Sequence, residues 1–465
     1  MVYYGALSKG CELCRRRKIK CDERKPSCLK CESSNRSCPG YRDLTAISFR
    51  DESSRVVRKT RRRAAAPAAA LGGQKIVTLN PMLSLPIEDL AAGFFFSKYN
   101  VYNGPYFSSM SRDWLCEVYV QDPTCDILRT AIEAVGMAGL SNTSYAPHLA
   151  LLAQHRYGKV LEALDGALQD PFAAARDTTL MAVILLGFFE VVSSDAADES
   201  RYWITHAAGA MALLQLRGPD QFARPRGGQL YVCTRSQILA ACLTQKLPVP
   251  PALISVTYEF ETSTLRQLWK DSNLATPGSI SEICFRLVNL RATIAQDGLM
   301  DPVSIRTRAF AIDDDLEEWK ASAQVRWAYK TVQETECTNS PPFTGKHHEY
   351  ANLWVARAWL NWRLMRILVN QMIIENELKL EFADEIVSRS RDIVRDLSIE
   401  ICISVASFED TPHLLQVIQP LALVAQESLN PPFVRSFAVQ ELYRIHKSTG
   451  VRQAGRLADI ASLLL

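Results

Sequence analysis

The chain has 465 residues, of which 48% are hydrophobic and 22% charged, the balance of an ordinary soluble globular protein with room for a small module beside a large folded core. Its formal net charge of +3 averages two unlike parts. Residues 1–63 carry 18 Lys/Arg against 7 Asp/Glu, and the remainder 35 against 43, so a basic arm on an acidic body predicts a polyanion as partner for the arm.

Met1 to Gly10 lacks an apolar run, so no secretory leader is expected, and the protein is assigned to a reducing compartment. Six of the thirteen cysteines then fall within Gly10–Gly40. Cys11, Cys14 and Cys21 form C-x2-C-x6-C, and Cys28, Cys31 and Cys38 repeat that spacing. In a reducing compartment this pattern reads as zinc ligation and not as a disulfide knot. One tetrahedral zinc would leave two thiolates idle, whereas two zincs use all six if two cysteines bridge the metals. The internal repeat points to Cys11 and Cys28, the first cysteine of each triplet, as the bridges. Two zincs and six thiolates leave a charge of −2, which neighbouring cations partly offset.

This segment resembles the fungal binuclear zinc-cluster transcription regulators over Gly10 to about Tyr41, in both triplets, in "CRRRKIKC" and in Pro26 between the halves. "CPGYRD" and "FRDESSRVVRK" are similar to one subset of that family, which includes regulators of secondary-metabolite clusters. The resemblance implies two short helices, each following a C-x2-C, around two Zn(2+) ions that share Cys11 and Cys28. It also implies that the first helix enters the major groove of double-stranded DNA and reads a CGG-like triplet, acting with RNA polymerase II in the nucleus. Five cations occupy six positions in "RRRKIK". Lys18 matches the family's base-contacting lysine, Arg17 shares a base or phosphate contact, and Arg15, Arg16 and Lys20 are assigned to phosphates. Ile19 is expected to face inward and pack the module. A second basic run, Arg58–Arg63, reads as a nuclear signal or loose phosphate contact.

The expected organisation is a zinc-cluster DNA-binding domain over 1–41, a basic and Ala-Pro-Gly linker over 42–80, and an all-α regulatory domain over 81–465. Between Arg42 and Arg63 no sustained apolar heptads occur, so a long dimerising zipper is excluded and a homodimer would form through the helical body. In the body, Tyr157, Val160, Leu161, Leu164 and Leu168 recur at helical spacing, as do Trp203, Ala207, Ala210, Met211 and Leu214 up to an Arg217-Gly218-Pro219 stop. Further helices are predicted near 124–140, 177–192, 230–246, 280–297, 302–321, 347–380, 383–405, 413–428, 432–447 and 453–464. The most apolar run, Leu180–Phe189, is too short to span a bilayer and reads as a buried helix. "RYWITHAAGAMALLQLRGPDQF" (Arg201–Phe222) resembles part of the helical regulatory domain that accompanies many of these clusters.

Enzyme motifs were weighed against this. "DDDLEE" (Asp313–Glu318) contains the DDxxE pattern of all-α terpene synthases, but their second metal motif is missing, and the run reads as an acidic helix face opposite Ile312, Leu316 and Trp319. His347-His348 is expected in a loop or helix start, Trp354, Trp359 and Trp362 in the core, and the seven body cysteines as buried apolar residues. No P-loop, dinucleotide fingerprint, G-x-S-x-G or H-E-x-x-H occurs. No catalytic role is expected. The competing hypothesis is a zinc-binding helical scaffold or enzyme held to nucleic acid without sequence preference; a regulator would also engage the transcription machinery.

Overall fold

The computed structural model describes residues 10–24, 26–40, 85–99, 114–121, 125–194, 200–271, 280–296, 301–333, 343–380 and 384–465. The linker over 42–80, the heptad question and Arg58–Arg63 lie outside them. The chain forms two compact units, Met1–Met82 and Leu83–Leu465.

The first unit holds α1 (Glu12–Arg16) and α2 (Leu29–Glu32). Each helix begins directly after the first cysteine of its C-x2-C and includes the second, a correction to the expectation that the helices follow the pairs. Helix α1 ends at Arg16, before most of the basic run. Lys18 adopts a left-handed conformation at φ 54°, and the Ile19 N–H reaches back to the Cys14 carbonyl at 3.1 Å, the signature of a Schellman stop. Seventeen residues later Asn35 repeats the turn at φ 51°, with the Arg36 N–H on the Cys31 carbonyl at 3.0 Å. A second pair at the same offset, Glu23 (φ 58°) and Gly40 (φ 84°), is left-handed as well. The cysteine repeat is therefore a repeat of backbone geometry.

The second unit is built of helices. In chain order they are α3 (Ile87–Lys98), α4 (Trp114–Gln121), α5 (Asp126–Ser144), α6 (Pro147–Leu168), α7 (Pro171–Ala174), α8 (Asp177–Ser193), α9 (Ser200–Arg217), α10 (Pro225–Gln245), α11 (Pro251–Glu261), α12 (Thr264–Asp271), α13 (Ile280–Gln296) and α14 (Pro302–Arg326). After a short hairpin come α15 (Leu353–Leu380), α16 (Asp384–Ser404), α17 (Ile418–Gln426), α18 (Pro432–Thr449) and α19 (Arg452–Ser462). Six of them start with proline in the first turn, where its missing N–H is no loss. Helix α8 carries the Leu180–Phe189 run and is buried along most of its length between α5 and α9. Among the described residues, no helix is long and apolar enough to cross a membrane. Helices α3, α4, α11 and α12 were not predicted from the sequence.

Among the described residues, the body departs from all-helix at one hairpin. Lys330–Gln333 (β1) pairs antiparallel with Lys346–Glu349 (β2), placing Thr331 opposite His348. His347-His348 thus lies in a strand, not in a loop or helix start. The His348 side chain is buried, with Nδ1 3.1 Å from Thr331 Oγ1 and Nε2 3.0 Å from Glu400 Oε2. Buried Arg363 of α15 donates to the Tyr350 hydroxyl at 2.9 Å and to Glu400 at 3.3 Å. Against the upward pull of its own burial, His348 and Arg363 hold the Glu400 carboxyl below its ordinary range. The hairpin is thereby locked to α15 and α16.

The acidic run of α14 also departs from expectation. Asp314 and Glu318 are exposed, but Asp313 is buried together with Ile312, Leu316 and Trp319. It accepts hydrogen bonds from Arg366 at 3.1 Å and Asn370 at 2.8 Å, both on α15, while Glu317 pairs with Arg366 and Asp315 with Arg286. These carboxylates join helices. Trp359 and Trp362 are buried as expected, their indole N–H groups donating to the Trp327 and Leu316 carbonyls at 2.8 Å; Trp354 is only half-buried. Of the body cysteines, Cys233, Cys242 and Cys402 are buried, Cys125 and Cys284 partly so, and Cys116 is exposed, contrary to expectation; Cys337 lies outside the described residues.

Helices α3 and α5 meet at Gly136, where an added Cβ would lie 2.0 Å from the Ala91 carbonyl oxygen. Gly158 on α6 has open space around the same position. Gly136→Ala is expected to destabilise the body by about 1–3 kcal/mol, and Gly158→Ala to stabilise it by about 0.5–1 kcal/mol. Unfolding of both variants by denaturant, followed by circular dichroism, checks the opposite signs.

Candidate metal centre

Among its described residues, the first unit has almost nothing apolar to fold around. Its buried core consists of Cys11, Cys14, Cys28 and Cys31, with Leu13, Cys21 and Cys38 partly buried against them. Ile19, expected inside, is 38% exposed. The left-handed turn at Lys18 carries the chain off the helix before Ile19 can reach a core that is made of sulfur.

The helix starts place the first two cysteines of each triplet, and the returning strand-like segments bring Cys21 and Cys38 to the same point. Cys11 Sγ lies 3.7 Å from the Sγ atoms of both Cys28 and Cys31, and Cys14 Sγ 3.7 Å from that of Cys28. A disulfide would need about 2.05 Å. Four sulfurs at about 2.3 Å from one zinc stand about 3.8 Å apart along each tetrahedral edge. The observed spacing is the tetrahedral one. Two four-sulfur groups emerge, Cys11–Cys14–Cys21–Cys28 and Cys11–Cys28–Cys31–Cys38, each with all ligand atoms within 4.8 Å of one another. They share Cys11 and Cys28, the pair singled out from the repeat. Among the described residues no other cluster of His, Cys, Asp or Glu gathers its ligand atoms this closely.

Backbone amides point at the sulfurs. The Cys14 N–H donates to Cys11 Sγ at 3.4 Å, and the Cys11 N–H to Cys21 Sγ at 3.5 Å. Burial pushes the Cys14 thiol up to about 12 and raises Cys31 in the same way, whereas the backbone N–H groups of Cys28 and Gly40 draw Cys38 down to about 7. Six thiolates in contact are tolerable only beside cations, which is the chemistry of a divalent soft-ligand metal site.

Asp22 has a role that the sequence reading missed. Its Oδ2 accepts the Leu29 N–H at 3.1 Å, closing the loop between the halves and satisfying the first amide of α2. That amide holds the Asp22 carboxyl below its ordinary range. The only available signal was an acidic residue directly after Cys21.

The side chains of Arg16, Arg17, Lys18 and Lys20 are all exposed, and none makes an ion pair with another described residue. Arg24, in contrast, lies 4.0 Å from Glu32. The Arg15 backbone belongs to α1, but its side chain lies outside the described residues. Only Arg15 and Arg16 are on the helix; Arg17, Lys18 and Lys20 are carried on the turn and the segment after it.

Comparison with known proteins agrees with this geometry. Residues 9–46 match the fungal Zn(2)-Cys(6) binuclear cluster domain family, and residues 97–340, just over half of the chain, match the fungal specific transcription factor domain family. White-opaque regulator 2 of Candida albicans is 60% identical over 38 residues, 8% of each chain. A transcriptional regulatory protein of Schizosaccharomyces pombe is 60% identical over 37 residues, 8% of this chain and 7% of that protein. The aspercryptin biosynthesis cluster-specific transcription regulator of Emericella nidulans is 49% identical over 41 residues, 9% of this chain and 7% of the relative. The matches thus span less than a tenth of these relatives. No solved structure matches the chain.

Because Cys11 belongs to both sulfur groups and Cys38 to one, Cys11→Ser is expected to abolish zinc retention and Cys38→Ser to weaken part of it. Protons compete with metal for thiolates, so zinc is held at neutral pH and released on acidification. Metal analysis after dialysis against a graded chelator, at each pH, checks both statements.

Proposed function

The chain belongs to the fungal-specific transcription factors with a Zn(2)-Cys(6) cluster, zinc- and DNA-binding regulators rather than enzymes, and from that premise we propose that it reads CGG-like triplets in double-stranded DNA through a two-zinc cluster. The two sulfur groups sharing Cys11 and Cys28 support the count of two zincs, with all six cysteines as ligands. The observation that carries the DNA reading is the run of exposed, unpaired cations directly after a metal-ligand pair. Such cations are unspent, and phosphate is their natural counter-ion.

In this reading Lys18 contacts guanine edges, Arg17 shares a base or phosphate contact, and Arg15, Arg16 and Lys20 bind phosphates. The three-part organisation, 1–41 as DNA reader, 42–80 as tether and 81–465 as regulatory body, fits the two compact units and the family matches. The protein acts in the nucleus with RNA polymerase II and the transcription machinery, and any homodimer forms through the body. The Emericella relative regulates a biosynthesis cluster by name, which supports a secondary-metabolite gene cluster as the target here.

The left-handed turn supplies a clean test. Asn35 occupies the position equivalent to Lys18 and tolerates the same conformation, so Lys18→Asn keeps the turn while removing the cation. Binding to the preferred triplet should weaken by about 1–3 kcal/mol and preference at one base pair should flatten. Lys20→Ala should weaken all sequences equally and lower the salt slope by about 0.9. Zinc-loaded variants titrated with the triplet and its point variants across a salt series check this. Equal, sequence-blind losses, or one zinc per chain by metal analysis, would overturn the reading.

A further inference from the structure

Helices α13, α15 and α16, the end of α10 and the turn after α17 surround a cavity of about 640 Å³, the size of a small-molecule pocket. Met372, Ile374 and Leu429 are among its apolar lining residues, and Lys246, Arg291 and Arg391 add three cations beside the carboxylates of Glu375 and Glu427.

The acids do not neutralise the arginines. Glu427 is already engaged, accepting from the Gln371 side chain and from the Leu429 N–H at 2.9 Å. Glu375 is exposed and acts on Arg291 only through longer-range attraction. Arg291 and Arg391 each bury their Nε with no hydrogen-bond partner, and neither guanidinium forms an ion pair with another described residue. Burial pulls Arg291 below its ordinary range, the mark of a charge held partly out of water. Leaving two arginine Nε–H groups buried without a partner is costly, and an anion accepting from them removes that cost.

We propose that this cavity binds a small monocarboxylate with an apolar body, its carboxylate between Arg291 and Arg391 and its hydrocarbon over Met372 and Ile374. The surplus of one positive charge among the lining groups matches a single negative charge, and the apolar lining favours an anion that carries a hydrocarbon part. Arg291 and Arg391 stand on helices about a hundred residues apart in the chain, so the ligand ties α13 to α16 and gives the regulatory body an effector site. This inference goes beyond the DNA-binding reading and does not rest on it.

Sodium octanoate, below its micellar range, is the probe, titrated into the full zinc-loaded chain by calorimetry beside 1-octanol, acetate and inorganic phosphate. Octanoate is expected to bind saturably, with octanol, acetate and phosphate at least about ten-fold weaker. Arg291→Gln and Arg391→Gln should each weaken octanoate by about ten-fold or more. If Arg291→Gln does not fold, Arg391→Gln and Ala295→Phe, which fills the cavity, carry the test. Octanol binding as well as octanoate, phosphate binding as well as octanoate, or unchanged affinity in the folded variants would each overturn the proposal.

Discussion

Six sulfurs drawn into mutual contact repel one another as thiolates and gain little from packing as thiols. Among the described residues, the first unit nevertheless buries four of them as its core. Some 30 residues bury too little apolar surface to fold alone, so here metal ligation takes the place of the hydrophobic effect. The rest of the unit follows from that constraint. The helices start directly after the first cysteine of each pair, because two ligands three residues apart then lie on one helix face. They stop at left-handed residues, because the third cysteine has to return. Ile19 stays outside because there is no inside for it to enter.

The body obeys the ordinary rule of apolar burial, with polar contacts fixing how its helices meet. Helix α14 is joined to α15 by Asp313 and Glu317 on one side and Arg366 and Asn370 on the other. Breaking such a buried pair by removing one partner leaves an uncompensated charge and typically costs about 3–5 kcal/mol. The run that resembles a magnesium motif is therefore explained without magnesium. A carboxylate already accepting from an arginine and an asparagine has little left to offer a cation.

Much of this was legible in the sequence, for different physical reasons in the two units. Ligand spacing is a covalent fact, so the gathering of six cysteines into one cluster was legible from their repeat. Long helices such as α8, α14 and α18 announce themselves through periodicity, and α14 and α18 also through proline at their starts. Helices α4 and α12, of eight residues each, span barely two turns and give periodicity too little length. The hairpin strands, of four residues each, show only one buried side chain, and the reason His348 is buried, Glu400, lies 52 residues further on. The inward turn of Asp313 likewise depended on Arg366. Long-range partners such as these leave no local trace.

The seventeen-residue repeat gives the two halves of the cluster one backbone and two different surfaces. Between the second and third cysteines the first half reads Arg-Arg-Arg-Lys-Ile-Lys, and the second Glu-Ser-Ser-Asn-Arg-Ser. The backbone repeats while the charge is strongly one-sided, five positive charges in the first half against none in excess in the second. One repeat of backbone thus serves the metal in both halves, while only the first half offers a polyanion a surplus of charge.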